Sequence, residues 1–572
     1  MSVAQFGVAL HRNPSRNLSI VQFDLGFSAP TARNVRWQSG ELCVKINRMT
    51  VPVCGTPSNL EPVSAETQVY CIHGVDPEVQ AYAMAKYSRS SLSLKQSLTE
   101  LSEQKAEKFL NTFYFQYGHR SIADLAHVAM AIERLSLLAA TLVVDETRWD
   151  GQERSTRYQD FKKSGHYSPD FTDPADASLY EETIAFLFSE YRNFSELNFQ
   201  YLVAKTPRPP EMTQEAYDRT LRARAFDISR YLLPLATNTS LGQIVNARTL
   251  ETQVSRLLGS PYEEVRCLGE RMKQAARSAA WDVNADRRQS LVDAIAEKDA
   301  ALGERARAEL LRETHSSPTL VKYAEPSAYQ LASKIDLAQA ESELMRGHSI
   351  APAPEVDLLD EDLLEIELAT TLLYEHSRHS YRQLREAVVA LTQARREEII
   401  DLGMRHRGPH DELLRPYNAG HKFRFDILMD IGAYRDLHRH RRCVQIHQEY
   451  CFAHGFDTPR EIQEAGHAEL YAQAMQRVGE AGRKLEAALA ARGQAPQPAQ
   501  YLLPLAYRKR TLFKMDFAEV VYISELRTGT GGHWSYRSVA YQMYERVAER
   551  YPSLAKYFRV TDIHQPVDLL QR

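Results

Sequence analysis

The clearest alternation in the chain falls at residues 422–429, where Phe423, Phe425, Ile427 and Met429 are apolar and Lys422, Arg424 and Asp426 are charged. A period of two predicts a half-buried strand. Directly after it, Gly432 to Arg442 carries helical spacing, and Met130 to Val144 occupies the corresponding place earlier in the chain. Leu179 to Tyr201, Tyr262 to Ala279 and Leu291 to Arg312 also have helical spacing. The pattern predicts an α+β class that is rich in helix.

Part of the chain is repeated. Tyr231-Leu-Leu-Pro-Leu-Ala236 returns letter for letter as Tyr501-Leu-Leu-Pro-Leu-Ala506. Pro318-Thr-Leu-Val-Lys-Tyr323 returns as Pro552-Ser-Leu-Ala-Lys-Tyr557, and Tyr87-Ser-Arg-Ser90 has a looser echo in His376-Ser-Arg-His-Ser380. Three matches in one order predict a duplication. The expected organisation is an N-terminal extension over 1–64, a first unit over 65–330, a linker over 331–354 containing Ala351-Pro-Ala-Pro354, and a second unit over 355–572. Each unit is long enough to bury a core, so a fused dimer is expected rather than a solenoid. The extension has the mixed Ser, Asn, Arg and Pro content of a disordered tail.

Composition narrows the function more than the fold. The 70 basic and 74 acidic side chains of the 572 residues leave a net charge of −4, which argues against a dedicated nucleic-acid binder. Any anion site must be local. The six cysteines form no C-x-x-C pair, so no zinc ribbon or disulfide framework can be read, and a reducing cytoplasm is the expected location. The longest apolar run, Leu135 to Val144, is about half of what spans a membrane.

Two segments could carry chemistry. If Glu153-Arg-Ser-Thr-Arg-Tyr158 is extended, Glu153, Ser155 and Arg157 share one face. That face then offers an acceptor, a hydroxyl and a guanidinium, the groups that a nucleotide monophosphate needs; a solvated face with an internal ion pair is the alternative. Arg435-Asp-Leu-His-Arg-His-Arg-Arg442 concentrates positive charge. On a helix Arg435, Arg439 and Arg442 share a face while Arg441 points away from Arg439, so the cluster either meets two anionic groups or is a solvated or nucleic-acid-facing patch. His376 with His379, or His438 and His440 with His447, lack the spacing of a known metal motif, and no metal is expected. Gly118-His119-Arg120-Ser121 reads as a turn opening a helix, and Thr528-Gly-Thr-Gly-Gly532 as a flexible turn rather than a phosphate loop.

Taken in order, Tyr117-Gly-His-Arg-Ser121, Glu153-Arg-Ser-Thr-Arg-Tyr158, Arg230-Tyr-Leu-Leu-Pro-Leu235 and Asn246-Ala-Arg-Thr-Leu250 resemble the flavin-dependent thymidylate synthases. The family's Arg-His-Arg sequence is found in the second unit, at Arg439-His-Arg441. The departures are complementary. The first unit has Asp145-Glu-Thr147 where Arg-His-Arg belongs, and the second has His447-Gln-Glu-Tyr-Cys451 where Glu-x-Ser-x-Arg belongs.

The resemblance implies two fused units, each an antiparallel sheet with packed helices, that build one composite site from their retained halves. It implies FAD as cofactor, methylenetetrahydrofolate and NADPH as co-substrates, and methylation of dUMP or a related pyrimidine nucleotide. By the same resemblance Glu153, Ser155, Arg157, Arg230 and Arg527 hold the nucleotide, Arg230 and Arg527 also being catalytic. Ser88, His119, Ser121, Asn246, Arg248, Arg439, His440 and Arg441 would hold the flavin. The implied assembly is a homodimer forming a pseudo-tetramer. Modification of another heterocycle, or an inactive nucleotide- or flavin-binding homologue, are the alternatives.

Overall fold

A computed structural model describes residues 70, 74–86, 94–99, 120–162, 164–408 and 411–570. The whole N-terminal extension over 1–64, Ser88 and His119 lie outside the described residues. In chain order the elements that frame the first half are β1 (His127–Ser136), α1 (Leu137–Val143), β2 (Asp150–Glu153), α2 (Pro174–Lys205), α3 (Gln214–Ser229), β3 (Asn238–Asn246) and α4 (Ala247–Leu258). The second half follows with β4 (Val356–Leu358), α5 (Leu364–Tyr374), β5 (Phe423–Asp430), α6 (Ile431–Leu437), β6 (Val444–His447), α7 (Ala468–Ala491), β7 (Arg508–Met515), α8 (Phe517–Thr528) and α9 (Trp534–Arg550).

Each half builds one antiparallel sheet, ordered β1-β3-β2 in the first and β4-β5-β7-β6 in the second. The helix-rich α+β class is therefore as the periodicity predicted, and the two antiparallel sheets with packed helices are as the resemblance implied. The halves repeat each other down to single hydrogen bonds. Leu137 N donates to Thr237 O at 2.9 Å and Leu138 N to Leu235 O at 3.1 Å; in the second half Ile431 N donates to Tyr507 O at 2.8 Å and Gly432 N to Leu505 O at 3.1 Å. Both strand-to-helix corners are capped from the last strand residue. Ser136 Oγ accepts from Ala139 N at 2.9 Å and Asp430 Oδ1 from Ala433 N at 2.7 Å, which satisfies N–H groups that a helix start leaves open.

The duplicated hexapeptides meet. Leu235 N donates to Leu503 O at 2.9 Å and Leu505 N to Leu233 O at 3.0 Å, while Ala236 N reaches Tyr501 O and Ala506 N reaches Tyr231 O. Reciprocal bonds between equivalent residues are the mark of a two-fold interface, here closed within one chain. One hydrophobic core runs through it, from Leu137 and Leu187 to Leu232, Leu235, Leu502, Leu505 and Leu485. The described residues from 74 onward belong to one compact unit. Its long helices α2 and α7 face each other with Phe194 edge-on to Tyr471, ring centroids 5.7 Å apart.

Several sequence expectations are corrected in detail. The strand at 423–429 is buried on both faces rather than one. Arg424 pairs with Glu367 of α5 at 3.3 Å, and Asp426 accepts from Arg510 at 2.8 Å and from the Tyr374 hydroxyl at 2.6 Å, so its charged positions form an internal ionic layer. The helix expected over Gly432 to Arg442 stops at Leu437. Gln445 donates its amide to His440 O at 2.7 Å, holding the chain in a turn before β6. Leu291 to Arg312 is two helices, Ala285–Ala296 and Ala300–Leu310, the second capped by Asp299. Residues 328–344 form a helix whose Tyr329 and Leu337 enter the second half's core. Among the described residues no helix is long and apolar enough to cross a membrane.

Candidate functional site

The site begins where β2 of the first half faces α6 of the second. Gly151 allows β2 to lie close against the Trp149 ring and β3, since a Cβ on it would run into that ring and the Gly242 carbonyl. A cavity of about 130 Å³ lies between Thr141, Val144, Trp149 and residues 151–153 on one side and Arg435, His438, Arg439 and Arg441 on the other. Glu153 is ion-paired with Arg435 across it. The Arg441 guanidinium stands 4.6 Å above the Trp149 ring, a cation–π contact. Arg435 Nη1, Arg441 Nε and His438 Nε2 are buried and find no hydrogen-bond partner among the described residues. Buried unpaired donors are costly, and the guanidinium pair makes the cavity a receptor for anionic or carbonyl oxygens.

Behind the cavity lies a buried ion network that draws on both halves. Arg157 donates to Asp227 Oδ1 at 2.9 Å and Oδ2 at 3.0 Å, to the Tyr536 hydroxyl at 2.9 Å and to Gly531 O at 3.0 Å. Arg230 reaches Asp436 at 3.3 Å and Asp227 at 3.7 Å. Burial pushes the Asp227 carboxyl up, but His533, Arg157 and Arg230 overcome it and hold the group at about 2. Asp436 is likewise held below its ordinary range, because Arg230, Arg157, Arg439 and Arg527 outweigh its burial. Arg527 Nε donates to His440 Nε2 at 2.8 Å, and the Arg527 and Arg157 guanidinium groups stand 5.6 and 5.5 Å from the Tyr536 ring.

Glu153, Arg157, Arg230, Arg439, His440, Arg441 and Arg527, distant in sequence, thus share one region. The premise behind the Glu153–Ser155–Arg157 face does not hold, because β2 ends at Glu153 and the next residues turn. Ser155 Oγ accepts from Arg157 N at 3.2 Å and shapes that turn. Ser121 is exposed in the one-turn helix Arg120–Leu125. Asn246 caps α4 by accepting from Thr249 N at 2.8 Å, and Arg248 pairs with Glu412 at 3.1 Å and Asp124 at 3.6 Å. None of these four lines the cavity, and Arg157, Arg230, His440 and Arg527 also stand outside its lining. The shortened helix also separates Arg442 from the arginines expected on its face, and it pairs with Asp516 at 3.2 Å. Sequence reasoning missed Asp227, Asp436 and Tyr536. Two of them were in reach: Asp436 stands inside the quoted arginine run, and Asp227 lies three residues before Arg230 on a helix.

The two altered segments meet as well. Asp145 of the first half accepts from Arg415 Nη1 at 2.7 Å and lies 3.4 Å from His447 Nε2 and 3.8 Å from His438 Nε2. Where the retained segments bring Glu153 to the Arg435–Arg441 stretch, their counterparts bring His447 to Asp145.

Known proteins bear on this geometry. Full-length similarity is found to UPF0159 proteins of Chlamydia muridarum (27% identity, covering 87% of this chain and 92% of that one) and Chlamydia pneumoniae (27%, 88% and 93%). A UPF0159 protein of Thermoplasma acidophilum is 25% identical, over 84% of this chain and 94% of its own. Among solved structures, flavin-dependent thymidylate synthase ThyX of Helicobacter pylori, complexed with FAD and dUMP, matches at 14% identity and a TM-score of 0.24, over 36% of this chain and 91% of that one. The UMP/dUMP methylase PolB of Streptomyces cacaoi, bound with 5-Br dUMP, matches at 16% and 0.25, over 35% and 84%. The model of the thymidylate synthase complementing proteins, the flavin-dependent thymidylate synthase family, matches twice, at residues 72–280 and 356–553. With both matches in tandem and together covering most of its length, the chain belongs to that family.

Proposed function

We propose that the chain is a flavin-dependent, thymidylate synthase-like enzyme. It binds FAD and a pyrimidine nucleotide at the composite site and methylates dUMP, or a related nucleotide, with methylenetetrahydrofolate. The observation that carries this reading is the cavity between the halves with its buried, unpaired Arg435 and Arg441 N–H groups. Its volume is close to the roughly 150 Å³ that admits a benzene-sized ring, so it suits one ring or one phosphate of a nucleotide, with the remainder outside. The donor set fits an anionic, carbonyl-rich ligand.

When bound, reduced flavin supplies hydride and the folate supplies the carbon. The chain's own residues bind and orient. Arg435, Arg439 and Arg441 hold oxygens, Trp149 forms one wall, and the buried Arg157–Asp227–Arg230–Asp436 network fixes α3 and α6 against each other so that these donors stay aimed. Arg230 and Arg527 are the residues we assign to polarising the pyrimidine. NADPH is the assigned reductant, the units are those delimited at 65–330 and 355–572, and two chains form a pseudo-tetramer in the cytoplasm.

A second reading has its own support. Arg157 and Arg230, assigned by resemblance to the nucleotide, are already paired with Asp227 and Asp436, which favours an inactive binding homologue or a different heterocyclic substrate. The visible absorption spectrum of the purified protein, with FAD and then with dUMP, separates the readings. Flavin that stays bound and shifts on adding dUMP, followed by dTMP formation, supports the first. Bound flavin with turnover on another pyrimidine alone replaces the substrate. No flavin retention, or flavin content unchanged in Arg441→Ala, removes the composite site proposed here.

A further inference from the structure

We propose that Asp145, His438 and His447 form a binding site for one divalent transition-metal ion, two histidines and a carboxylate drawn from both halves of the chain. His447 Nε2 lies 3.4 Å and His438 Nε2 3.8 Å from Asp145 Oδ1, and the three ligand atoms all lie within 4.8 Å of one another. Ligands that surround zinc at about 2.0–2.2 Å stand roughly 3.4 Å apart, so small side-chain movements close this set around an ion. The two imidazole rings meet edge to face, 5.2 Å between centroids and 80° between planes, which lets both nitrogens converge without a clash.

A second observation points to a ligand. His438 is 4% exposed, and its Nε2 has no hydrogen-bond partner among the described residues. Its other nitrogen is held: Nδ1 lies 2.8 Å from Gln445 Oε1, and the Gln445 amide is anchored in turn on His440 O. The Gln445 carbonyl oxygen accepts from Nδ1–H and so leaves Nε2 unprotonated, 3.8 Å from Asp145, the arrangement that fixes metal-binding histidines. The Tyr434 hydroxyl lies beside the His447 ring, 3.1 Å from Nδ1 and 3.5 Å from Nε2. His440, grouped with these two in the sequence but in no metal motif, turns instead to Arg527 and Glu519.

Two imidazoles and one carboxylate suit zinc, cobalt, nickel or ferrous iron and not calcium or magnesium. Three protein ligands leave a position for water or a small molecule, and His438 also lines the cavity, so the ion would border it. Arg415, 2.7 Å from Asp145, opposes a second cation; binding weaker than that of a closed structural zinc site follows. The inference does not rest on flavin or nucleotide binding.

The test is metal content, not turnover. The full chain, stripped with a chelator, is titrated with cobalt(II) by visible absorption and with zinc by elemental analysis. One ion per chain is expected, with affinity reduced at least about tenfold in Asp145→Asn and in His447→Gln, each checked for retained fold by circular dichroism. Binding of no metal by the wild type, or equal binding by wild type and folded His447→Gln, overturns the proposal. Should Asp145→Asn fail to fold, His447→Gln decides alone.

Discussion

The Arg157 guanidinium makes four hydrogen bonds, to Asp227, Tyr536 and Gly531, in a setting where neither partner of its ion pair reaches solvent freely. A guanidinium held that way is a strut, and its value depends on the carboxylate staying. Asp227→Ala leaves Arg157 and Arg230 buried without their shared anion, and a loss of about 3–5 kcal/mol is expected, read from the denaturant unfolding midpoint. Asp227→Asn, which keeps an acceptor, is expected to lose less; a loss below about 1 kcal/mol in the alanine variant would show the network to be dispensable. Of the arginines of this region, Arg439 and Arg441 were legible as part of a run of like charge and Arg157 as part of the Glu153–Tyr158 segment, while Arg230 and Arg527 were implied only by the family resemblance. Their carboxylate partners were not, because a single Asp on a helix reads equally well as a solvated residue. The Glu153–Arg435 pair joins residues far apart in the chain, and only the resemblance, with its complementary retained halves, implied that the two segments meet.

At the scale of elements, the duplicated hexapeptide was a sound guide to the duplication of the fold, and its two copies meet by reciprocal hydrogen bonds related by a two-fold axis. Periodicity was a poorer guide to burial. It found β5 but assigned its charged positions to solvent, whereas α5 and β7 bring Glu367 and Arg510 against them; a pattern of apolar positions carries no sign of an internal ion layer. It also left unread why α7 is so close to its neighbours. A Cβ at Gly482 would fall inside the Phe452 ring, so the glycine sets the spacing between that helix and the loop after β6. Gly482→Ala is expected to cost about 1–3 kcal/mol by overpacking. Combining it with Phe452→Leu should cost less than the sum of the two single changes, measured by equilibrium unfolding of all four proteins. Strict additivity would mean that the helix, not the ring, absorbs the added methyl.

Over the whole molecule, the halves are bound by complementarity as much as by repetition. The retained Arg-His-Arg segment of one half faces the retained Glu153 segment of the other, the altered segments face each other, and one core passes through the hexapeptide junction. Burying so many polar groups has a thermodynamic signature. Burial lowers His533 from its ordinary 6.5 to about 3 and His454 to about 4, and burial lowers His376 and His421 in the same direction. The unfolded chain protonates these groups first, so their contribution is complete above about pH 6.5 and is lost as pH falls toward 4 and 3, by up to about 1.4 kcal/mol per pH unit for each histidine. Asp430 acts the other way: its burial and the nearby Asp457 raise it to about 7. Its folded form keeps the proton, and that contribution is present below about pH 3.8 and lost as pH rises through 7. His438, which burial also lowers to about 3, makes three strongly shifted histidines against Asp430, which leaves the protein less stable at pH 5 than at pH 7, seen as a lower apparent melting temperature. Asp430→Asn retains a cap for α6 but removes the opposing proton, so its melting temperature should fall more steeply than the wild type's over the same interval. A shallower slope in that variant would mean that Asp430 is ionised in the fold, with Ser535 and Arg230 stabilising its charge more than burial opposes it.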